Sequence, residues 1–343
     1  MRVILLGPQR RPTVDAVARS LGLDRGLGRG LGRGLAGPES PVATVTAGWQ
    51  EREPDDGELS TLLGGRAVNL SLYRRWRDVQ DRDPGYAADE RGLAGTLAEL
   101  QDLYLLRLDY ALQAVYAVQR RNPGDQLRAD ALAEAVAAVR ELDAAHLRRV
   151  DSVRGEFFQR LRPHDRPVIA EHRAAVAGIL GEAAALVIAG GHVGVLAEVL
   201  HLFNVAAALG AAAGRGAPVI AWSAGAMALT DRIVLFHDRA PQGPGHPEVH
   251  GSGLSVLRDM VLLPHARARM LLDDTPRMAV FARRFGPARC VLLESGARIE
   301  LDRDGARSGA SDGGWPPGVR DGGWPPGVRV IAEDGRVILL EAA

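Results

Sequence analysis

A serine at the end of an apolar stretch is the first residue in this chain whose position suggests chemistry. In "APVIAWSAGAMALTD" (residues 217–231) an apolar run leads directly into Ser223, and three small residues follow it. If a strand ends before the serine and a helix begins after it, small residues at 221 and 225 let the two elements approach closely. A hydroxyl at such a helix N-terminus either caps the helix or acts as a nucleophile, and the spacing leaves both interpretations open.

A nucleophilic serine needs a base to accept its proton and donors to stabilise the oxyanion it creates. His265 is the best-placed of the nine histidines, because it follows the apolar run "DMVLLP" and would project from a strand end. The pair Gly190–Gly191 ends another apolar run, and glycines leave backbone N–H groups accessible to a ligand. The N–H of Ala224 is the second candidate donor. A surface histidine and a turn without a ligand are the structural alternatives.

Two acidic residues could orient the histidine. Glu294 ends the run "RCVLLE", and Asp238 follows "RIVLFH". Either could instead be a solvated residue at a strand terminus, so these patterns leave the acid open. Because the carboxyl ends of parallel strands lie at one edge of a sheet, we expect the serine, the histidine, the glycines and an acid to meet there.

Short apolar runs alternate with helical patterns, which predicts an α/β fold with a mostly parallel sheet and helices on both faces. Strands are predicted at MRVILLG, PVATVTAGW, AAALVIAGG, APVIAW, RIVLFHD, DMVLLP, RCVLLES and ARIELD. One helix is predicted from "VGVLAEVLHLFNVAAALGAAAG", and the final "VRVIAEDGRVILLEA" predicts a β-hairpin that turns at Asp334 and Gly335. We interpret residues 1–343 as one α/β domain.

A helical-hairpin insertion is predicted at 91–161. Apolar residues recur at spacings of three and four from 93 to 118 and again from 132 to 161, with Asp143 as one polar exception. A Pro-Gly turn within 121–126 joins the two predicted helices. Helices of this length could pack on each other, on the core or on a second subunit, so a homodimer is one arrangement that they could support.

Two segments are rich in glycine. Residues 24–37 lack the G-x-G-x-x-G spacing and follow a predicted helix, "PTVDAVARSLG", so we interpret them as a low-complexity loop and not as a phosphate loop. Residues 303–327 form a Gly/Pro-rich loop, in which "DGGWPPGVR" occurs twice in succession from residue 312. The duplication indicates a loop expansion. Its tryptophans, Trp315 and Trp324, could alternatively form a contact surface.

The composition disfavours several function classes. The 42 positive and 42 negative residues cancel, which gives no reason to expect nucleic acid or an anionic membrane as a partner. The chain has no lysine that could form a Schiff base, and the single Cys290 excludes an intrachain disulfide and a cysteine-rich metal site. The sequence shows neither a signal-peptide pattern nor a membrane-spanning stretch. We therefore expect a cytoplasmic protein that needs no cofactor.

The segment 236–250 is rich in histidine and acidic residues. His246 and His250 have the i, i+4 spacing of helical metal ligands, but a proline and nearby glycines disfavour a helix there, so no metal site is predicted. We expect a polar loop at the mouth of the pocket, with His237 and Asp238 as substrate contacts.

The ordered motifs AGG, WSAGA, LLPH and LLESG resemble those of the serine peptidases that include aspartyl dipeptidase (dipeptidase E) and cyanophycinase. The resemblance covers roughly residues 165–302, and WSAGA is its most specific element. It implies a class I glutamine amidotransferase-like, flavodoxin-like α/β fold, with Ser223 as nucleophile, His265 as general base and Glu294 as the acid. It also implies that Gly191 and Ala224 supply the oxyanion N–H groups.

Two residues near the expected pocket depart from that family. His192 stands where Asn or Asp usually follows the glycine pair, and Ala266 stands where an aromatic residue usually follows the histidine. We expect His192 and Trp222 to contact the substrate, but neither Asp-X dipeptides nor cyanophycin is carried over as the substrate. Amidotransferases of this fold use a cysteine where this chain has Ser223, which disfavours glutaminase chemistry.

The leading hypothesis is a metal-independent serine hydrolase that cleaves a peptide or amide bond of a small peptide-like substrate through a Ser-His-Glu triad. The alternative is a non-catalytic binding or scaffold protein that keeps the amidotransferase-like fold and acts through its helical arm.

Overall fold

The structure is a computed structural model that describes residues 2–9, 40–121, 126–239, 245–302, 325 and 327–340. The helix predicted at 12–22 and the glycine-rich loop at 24–37 lie outside the described residues. So does nearly all of the duplicated loop at 303–327, including both of its tryptophans.

Each strand predicted from an apolar run is present, whereas β3 and β7 were not predicted. The strands in the described part of the chain are β1 (Arg2–Leu6), β2 (Val42–Val45), β3 (Ala67–Asn69), β4 (Ala185–Ile188), β5 (Val219–Trp222), β6 (Ile233–Leu235), β7 (Glu248–Gly251), β8 (Met260–Pro264), β9 (Arg289–Leu293), β10 (Arg298–Asp302), β11 (Arg329–Ile331) and β12 (Val337–Leu339).

The central sheet is mostly parallel, as predicted. Its six strands lie in the order β10-β1-β5-β4-β2-β3, and only β10 runs antiparallel to its neighbour. The strands β4 and β5 are therefore adjacent and parallel, with Ile188 paired to Ala221. This pairing brings the glycine pair after β4 and Ser223 after β5 to the same edge of the sheet.

The remaining strands form two further sheets. One has the order β12-β11-β9-β8, in which β8 and β9 are parallel and β11 and β12 form the predicted C-terminal hairpin. The other is the antiparallel pair β6 and β7. His265 and Glu294 thus follow strands of a different sheet from the one that ends at Ser223.

The helices alternate with the strands along the chain. In the described residues they are α1 (Gly57–Leu62), α2 (Leu72–Arg82), α3 (Pro84–Gln119), α4 (Gln126–Leu161), α5 (Pro167–Glu182), α6 (Val193–Leu202), α7 (Val205–Gly214), α8 (Ala224–Met227), α9 (Ala266–Arg269) and α10 (Thr275–Phe285). Short 3₁₀ turns occupy Ala47–Arg52 and Pro163–Asp165.

Helices cover both faces of the central sheet, because alternate residues of each strand point to opposite sides. On β1, Ile4 and Leu6 pack with Leu59 and Leu63 at α1. Their neighbours in β1 belong to the larger core, to which α2, α5, α6 and α7 contribute. The layer arrangement predicted from the apolar runs is confirmed.

The two long helices predicted within 91–161 are present, but the first begins earlier. Helix α3 begins at Pro84, because the side chain of Asp83 accepts a hydrogen bond from the N–H of Tyr86 and caps the helix. A proline at the first helical position also favours a start there. Helices α3 and α4 each contain 36 residues. We refer to this pair as the arm.

The single helix predicted from 193 to 214 is wrong in one respect. The chain breaks at Asn204, whose φ of 52° cannot continue a helix, and α6 and α7 meet at an angle of 76°. No single helix in the described ranges is long and apolar enough to span a membrane, whereas this bent pair meets the length and composition test.

Candidate active site

The chain turns sharply at Ser223, between β5 and α8. The serine has φ 52° and ψ −122°, a backbone conformation that L-amino acids rarely adopt outside sites where the surrounding structure enforces it. The turn is possible because the next helix packs directly against β4. A Cβ on Gly225 would lie 2.5 Å from the carbonyl oxygen of Ile188 and 2.7 Å from that of Ala189. The predicted need for a small residue at this position is met by close backbone packing.

Ser223 does not cap the helix that follows it. It occupies the N-cap position of α8, but its side chain makes no capping hydrogen bond. The interpretation of this serine as a helix cap is therefore wrong. Helix capping therefore does not explain the presence of a hydroxyl at the end of this strand.

Two glycines after β4 lie against this turn. A Cβ on Gly190 would be 2.9 Å from the Cβ of Ser223, so the backbone passes directly beside the serine. Gly191 has φ +143°, and a Cβ there would be 2.4 Å from the carbonyl carbon and oxygen of Gly48. Within the described part of the chain, the N–H groups of Gly191 and Ala224 donate to no other residue. Both are therefore available to a ligand at Ser223.

The glycine pair is held by the segment that follows β2. The N–H of His192 donates to the carbonyl oxygen of Gly48 at 2.8 Å, which fixes the peptide that follows Gly191. The segment is itself anchored, because Asn69 donates to the hydroxyl of Thr46 at 2.7 Å and to the carboxylate of Asp56 at 2.8 Å. The shape of the glycine turn thus depends on residues more than a hundred positions earlier.

His265 and Glu294 come from neighbouring parallel strands in matching register. Pro264 of β8 pairs with Leu293 of β9, so the histidine and the glutamate each follow a paired residue. The N–H of His265 donates to the carbonyl oxygen of Leu293 at 3.4 Å. The Oε1 of Glu294 accepts a hydrogen bond of 2.7 Å from the N–H of Arg267, two residues beyond the histidine. This bond fixes the carboxylate beside the chain that carries His265.

The end of β1 joins the two sheets at this edge. The N–H of Gly7 donates to the carbonyl oxygen of Ala297 at 2.9 Å. A Cβ on Gly7 would lie only 1.7 Å from the carbonyl oxygen of Glu294, so no residue with a side chain fits there. The close approach brings the turn after β9 against the central sheet.

Ser223, His265 and the glycine pair line one cavity of about 650 Å³. A larger cavity of about 830 Å³ lies against β12 and contains none of the predicted site residues. The complete set of residues lining the first cavity is Pro8, Gln9, Trp49, Arg52, Asp55, Glu58, Leu59, Gly190, Gly191, Trp222, Ser223 and His265.

One wall of that cavity was not predicted from the sequence. It comes from the 3₁₀ turn, from α1 and from the residues between them, which contribute Trp49, Arg52, Asp55 and Glu58. Arg52 and Asp55 form an exposed ion pair at 3.2 Å. The local signal was a tryptophan followed by a run of charged residues, which by itself is typical of a solvated surface turn.

The four predicted substrate contacts divide into one that lines the cavity and three that do not. Trp222 lines it. His192 is outside it, at the N-cap of α6, where its Nδ1 accepts from the N–H of Val195 at 3.2 Å. His237 and Asp238 do not line the cavity either: the side chain of His237 is exposed to solvent, and that of Asp238 is buried.

Asp238, the other candidate for the acid, has a different role. Its Oδ1 accepts a hydrogen bond of 2.7 Å from the guanidinium of Arg277, and its Oδ2 accepts one of 3.1 Å from the N–H of Leu271. Its side chain is fully buried in this ion pair. Glu294 is bonded two residues beyond His265, at Arg267, whereas the carboxylate of Asp238 is bonded further along the chain, at Leu271 and Arg277.

The histidines of the segment 236–250 do not have the helical arrangement that was considered for metal ligands. Residues 248–251 form β7 and not a helix, so His246 and His250 do not share a helical face. His246 lies 3.2 Å from a carboxylate oxygen of Asp109 and stacks on Tyr116. No group of three or more metal-ligating side chains occurs among the residues that the structure describes.

One family model matches the segment that carries the motifs. Residues 149–308 match the model of peptidase family S51. A crystal structure of a peptidase from an acI-B1 Actinobacterium is similar over 100% of this chain and 94% of its own, with 13% sequence identity and a TM-score of 0.43. No curated protein matches the chain significantly.

The matched segment contains Ser223, His265 and Glu294 together with the four strands that end beside the glycine pair and these residues. The family match confirms the resemblance drawn from WSAGA, LLPH and LLESG. Residues 149–308 of this chain are therefore similar to peptidase family S51.

Proposed function

We propose that the protein hydrolyses a peptide or amide bond of a small peptide-like substrate, with Ser223 as the nucleophile. The observation that carries this proposal is the backbone of Ser223, held at positive φ at the end of β5 with its hydroxyl unused as a cap. A strained strand-to-helix turn of this kind is the arrangement in which a serine is presented to a substrate. His265 lines the same cavity and is the candidate base.

In the first half-reaction, the Oγ of Ser223 attacks the substrate carbonyl carbon while the imidazole of His265 takes the hydroxyl proton. The carbonyl π electrons move to oxygen and give a tetrahedral oxyanion. When the C–N bond breaks, the imidazolium returns its proton to the departing amine. An ester between Ser223 and the acyl group remains.

In the second half-reaction, water attacks the ester carbonyl and His265 accepts its proton. The second tetrahedral intermediate collapses by breaking the bond to the serine oxygen, which regains a proton from the imidazolium. The products are a carboxylic acid and the free enzyme. The sequence of steps needs no cofactor, and every proton passes through the same histidine.

The oxyanion is stabilised by the N–H groups of Gly191 and Ala224. Both are free of partners in the described part of the chain, Ala224 follows Ser223 directly, and Gly191 lines the same cavity as Ser223. Donors that are already oriented stabilise the developing charge without reorganising, and one such donor contributes about 10²–10³ in rate.

Glu294 is the proposed acid that orients His265. One of its oxygens is held by the N–H of Arg267, which leaves the other oxygen for the imidazole. A carboxylate in this role keeps the histidine in the tautomer that accepts a proton from serine and stabilises the imidazolium that forms. Asp238 is less suited, because its two oxygens already bind Arg277 and a backbone N–H.

The charges around the cavity suit a substrate with ends of both signs. Arg52 and Asp55 line the cavity as an exposed ion pair of both signs, and Glu58 lines it beside them. A short peptide with free termini carries an ammonium and a carboxylate within a few ångströms of the scissile bond. We therefore propose a short free peptide as the substrate class.

The test is hydrolysis of a library of dipeptides and tripeptides, followed by mass spectrometry, with wild type and Ser223→Ala. We expect the variant to lose turnover by about 10⁶-fold, since the chemistry then lacks its nucleophile. Ser152→Ala, at an exposed position on α4, is the matched control and should retain wild-type turnover. Equal turnover by wild type and Ser223→Ala would exclude the proposed mechanism.

The substrate class is tested by blocking the charges of a cleaved peptide. N-acetylation or C-amidation should raise KM or abolish cleavage if the charged wall recognises the termini. Cleavage of the doubly blocked peptide at the rate of the free peptide would exclude recognition of the termini, while leaving the role of Ser223 intact.

A further inference from the structure

Helix α3 exposes a line of large apolar side chains on the outer side of the arm. Leu103, Leu106 and Tyr110 are 53%, 57% and 66% exposed, and their spacings of three and four place them on one helical face. The opposite face of the same helix is buried, with Leu108 0% and Leu112 2% exposed. The helix therefore packs on the core through its buried face, and the exposed face takes no part in that packing.

Three adjacent exposed apolar side chains on a rigid helix mark an interaction surface, whereas scattered ones are ordinary. We call Leu103, Leu106 and Tyr110 the outer stripe. Its spacing is that of the a, d and a positions of a heptad, which is the pattern by which one helix packs along another.

The charges beside the outer stripe indicate what packs on it. Asp102 precedes the stripe on one flank, at a g position, and Arg107 lies on the other flank, at an e position. Neither side chain makes a hydrogen bond or ion pair with another residue in the described ranges. In a parallel pair of identical helices, each g position faces the e position five residues further on in the partner. Asp102 of one copy would therefore meet Arg107 of the other, twice by symmetry.

The antiparallel arrangement of two copies is disfavoured by the same charges. If two α3 helices pack antiparallel about Leu106, identical flanks face each other. Asp102 of each copy then faces Asp109 of the other copy, and Arg107 of one copy faces Arg107 of the other. Like charges brought together in this way destabilise the pairing.

We propose that the protein forms a two-fold symmetric dimer in which the outer stripes of two α3 helices pack in parallel, flanked by two reciprocal pairs of Asp102 with Arg107. The partner is a second copy of this chain, since an isologous contact presents the same surface twice and these charges complement themselves. Glu99 lies one turn before Leu103 and would face Glu99 of the other copy. Because these like charges repel, the contact is confined to the helix from Leu103 onward.

The dimer is expected to depend on concentration. A stable interface buries about 800 Å² on each partner, and three side chains with their flanks contribute less. Sedimentation velocity of the full chain from about 1 to 300 µM should show a shift from 36.6 kDa to twice that mass. A single 36.6 kDa species at all concentrations would overturn the proposal.

Leu106→Glu should abolish the shift, because it places a charge at the centre of the stripe on both copies. Leu127→Glu is the matched control: Leu127 is 77% exposed on α4, outside the stripe, and its substitution should leave the dimer intact. A dimer that survives Leu106→Glu, or that is lost equally in the control, would show that another surface forms the contact.

Charge reversal tests the flanks. Asp102→Arg and Arg107→Asp should each weaken the dimer about tenfold, because each places like charges in contact at two symmetric positions. The double variant should restore the wild-type dissociation constant, since the pairs are re-formed with their signs exchanged. Failure of the double variant to recover would exclude the reciprocal pairs.

The direction of the helices is tested by disulfide cross-linking under mild oxidation. Glu99→Cys and Gln113→Cys occupy d positions on either side of the stripe, and the natural Cys290 is only 1% exposed. In the parallel dimer each variant should cross-link to itself. In an antiparallel dimer only a mixture of the two variants would cross-link, and that result would contradict the proposal.

Discussion

The guanidinium of Arg284 donates to both carboxylate oxygens of Asp143, at 2.7 and 2.8 Å. Asp143 belongs to α4 of the arm and Arg284 to α10, and the two residues are 6% and 4% exposed. The hydroxyl of Tyr104 on α3 donates to the same carboxylate at 2.8 Å and accepts from Arg284 at 2.9 Å. This buried network fastens both helices of the arm to the helix that packs under β9 and β11.

Asp143→Ala is expected to lower the free energy of unfolding by about 3–5 kcal/mol, because it leaves the buried Arg284 without its counter-charge. Urea denaturation measures the change. Glu134→Ala, at an exposed position of the same helix, is the control and should change stability by less than about 0.5 kcal/mol. A similar small effect of Asp143→Ala would show that the network does not hold the arm.

The double variant Asp143→Leu/Arg284→Met should be more stable than Asp143→Leu alone. Replacing both members of a buried ion pair with apolar residues removes the unpaired charge that makes the single variant costly. The comparison separates the loss of the pair from the loss of packing. If the double variant is the less stable of the two, the other hydrogen bonds of Arg284, and not its ion pair with Asp143, determine the loss of stability.

Gly190→Ala is expected to lower kcat by at least about 10²-fold, because the added methyl would come 2.9 Å from the Cβ of Ser223 and displace the turn beside it. Steady-state kinetics on a cleaved peptide measure the effect. Gly178→Ala on α5 is the control: nothing lies within 4 Å of the added Cβ, and the change should leave kcat intact while stabilising the helix slightly. Wild-type kcat in Gly190→Ala would contradict the assigned position of the glycine turn.

Glu294→Gln should retain the fold and reduce kcat by about 10²–10⁴-fold, since an amide can still accept from Arg267 but no longer stabilises the imidazolium. Asp238→Asn should leave kcat within a few-fold of wild type, because that carboxylate is bonded to Arg277, away from the cavity. The reverse order of effects, with Asp238 essential and Glu294 dispensable, would assign the acid to the other strand end.

Stability should fall as the pH is lowered below about 6.5. Burial, with help from the charges of Arg154, His192 and His146, lowers the pKa of His250 below its ordinary value of 6.5. Below that pH, His250 binds a proton in the unfolded chain but not yet in the folded protein. The free energy of unfolding therefore decreases until the pH falls below the pKa of His250 in the folded protein.

For one such group the slope is at most about 1.4 kcal/mol per pH unit. Urea denaturation at pH 7.5 and 5.5 should therefore show a smaller loss of stability in His250→Asn than in wild type. Identical losses in the two proteins would mean that His250 titrates alike in the folded and unfolded states.

The parts of the site that follow from strand ends could be predicted from the sequence. Apolar runs fix where β4, β5, β8 and β9 end. Parallel pairing then brings the glycine pair beside Ser223 in one sheet, and His265 beside Glu294 in another. The sequence also shows Asp143 as a polar residue within an apolar pattern. It cannot show its partner, because Arg284 lies 141 residues away and the ion pair exists only when α4 packs on α10.

The wall of the cavity formed by Trp49 and Arg52 could not be predicted for a related reason. Trp49 and Arg52 lie in a short turn that reaches Ser223 only because Gly48 packs against Gly191, with no Cβ on either residue. The break at Asn204 was also missed, since both halves of the predicted helix are apolar and only the backbone at one residue interrupts them. Local patterns do not report contacts between distant segments.

The role of Ser223 as nucleophile is tested by the site of covalent modification by a fluorophosphonate probe, which reacts with activated serines. Tandem mass spectrometry of the labelled protein should locate the adduct on Ser223, and His265→Ala should label far more slowly because its serine lacks a base. A wild-type protein that unfolds cooperatively but takes no label, or takes it on another serine, would contradict the assignment of Ser223 as the nucleophile.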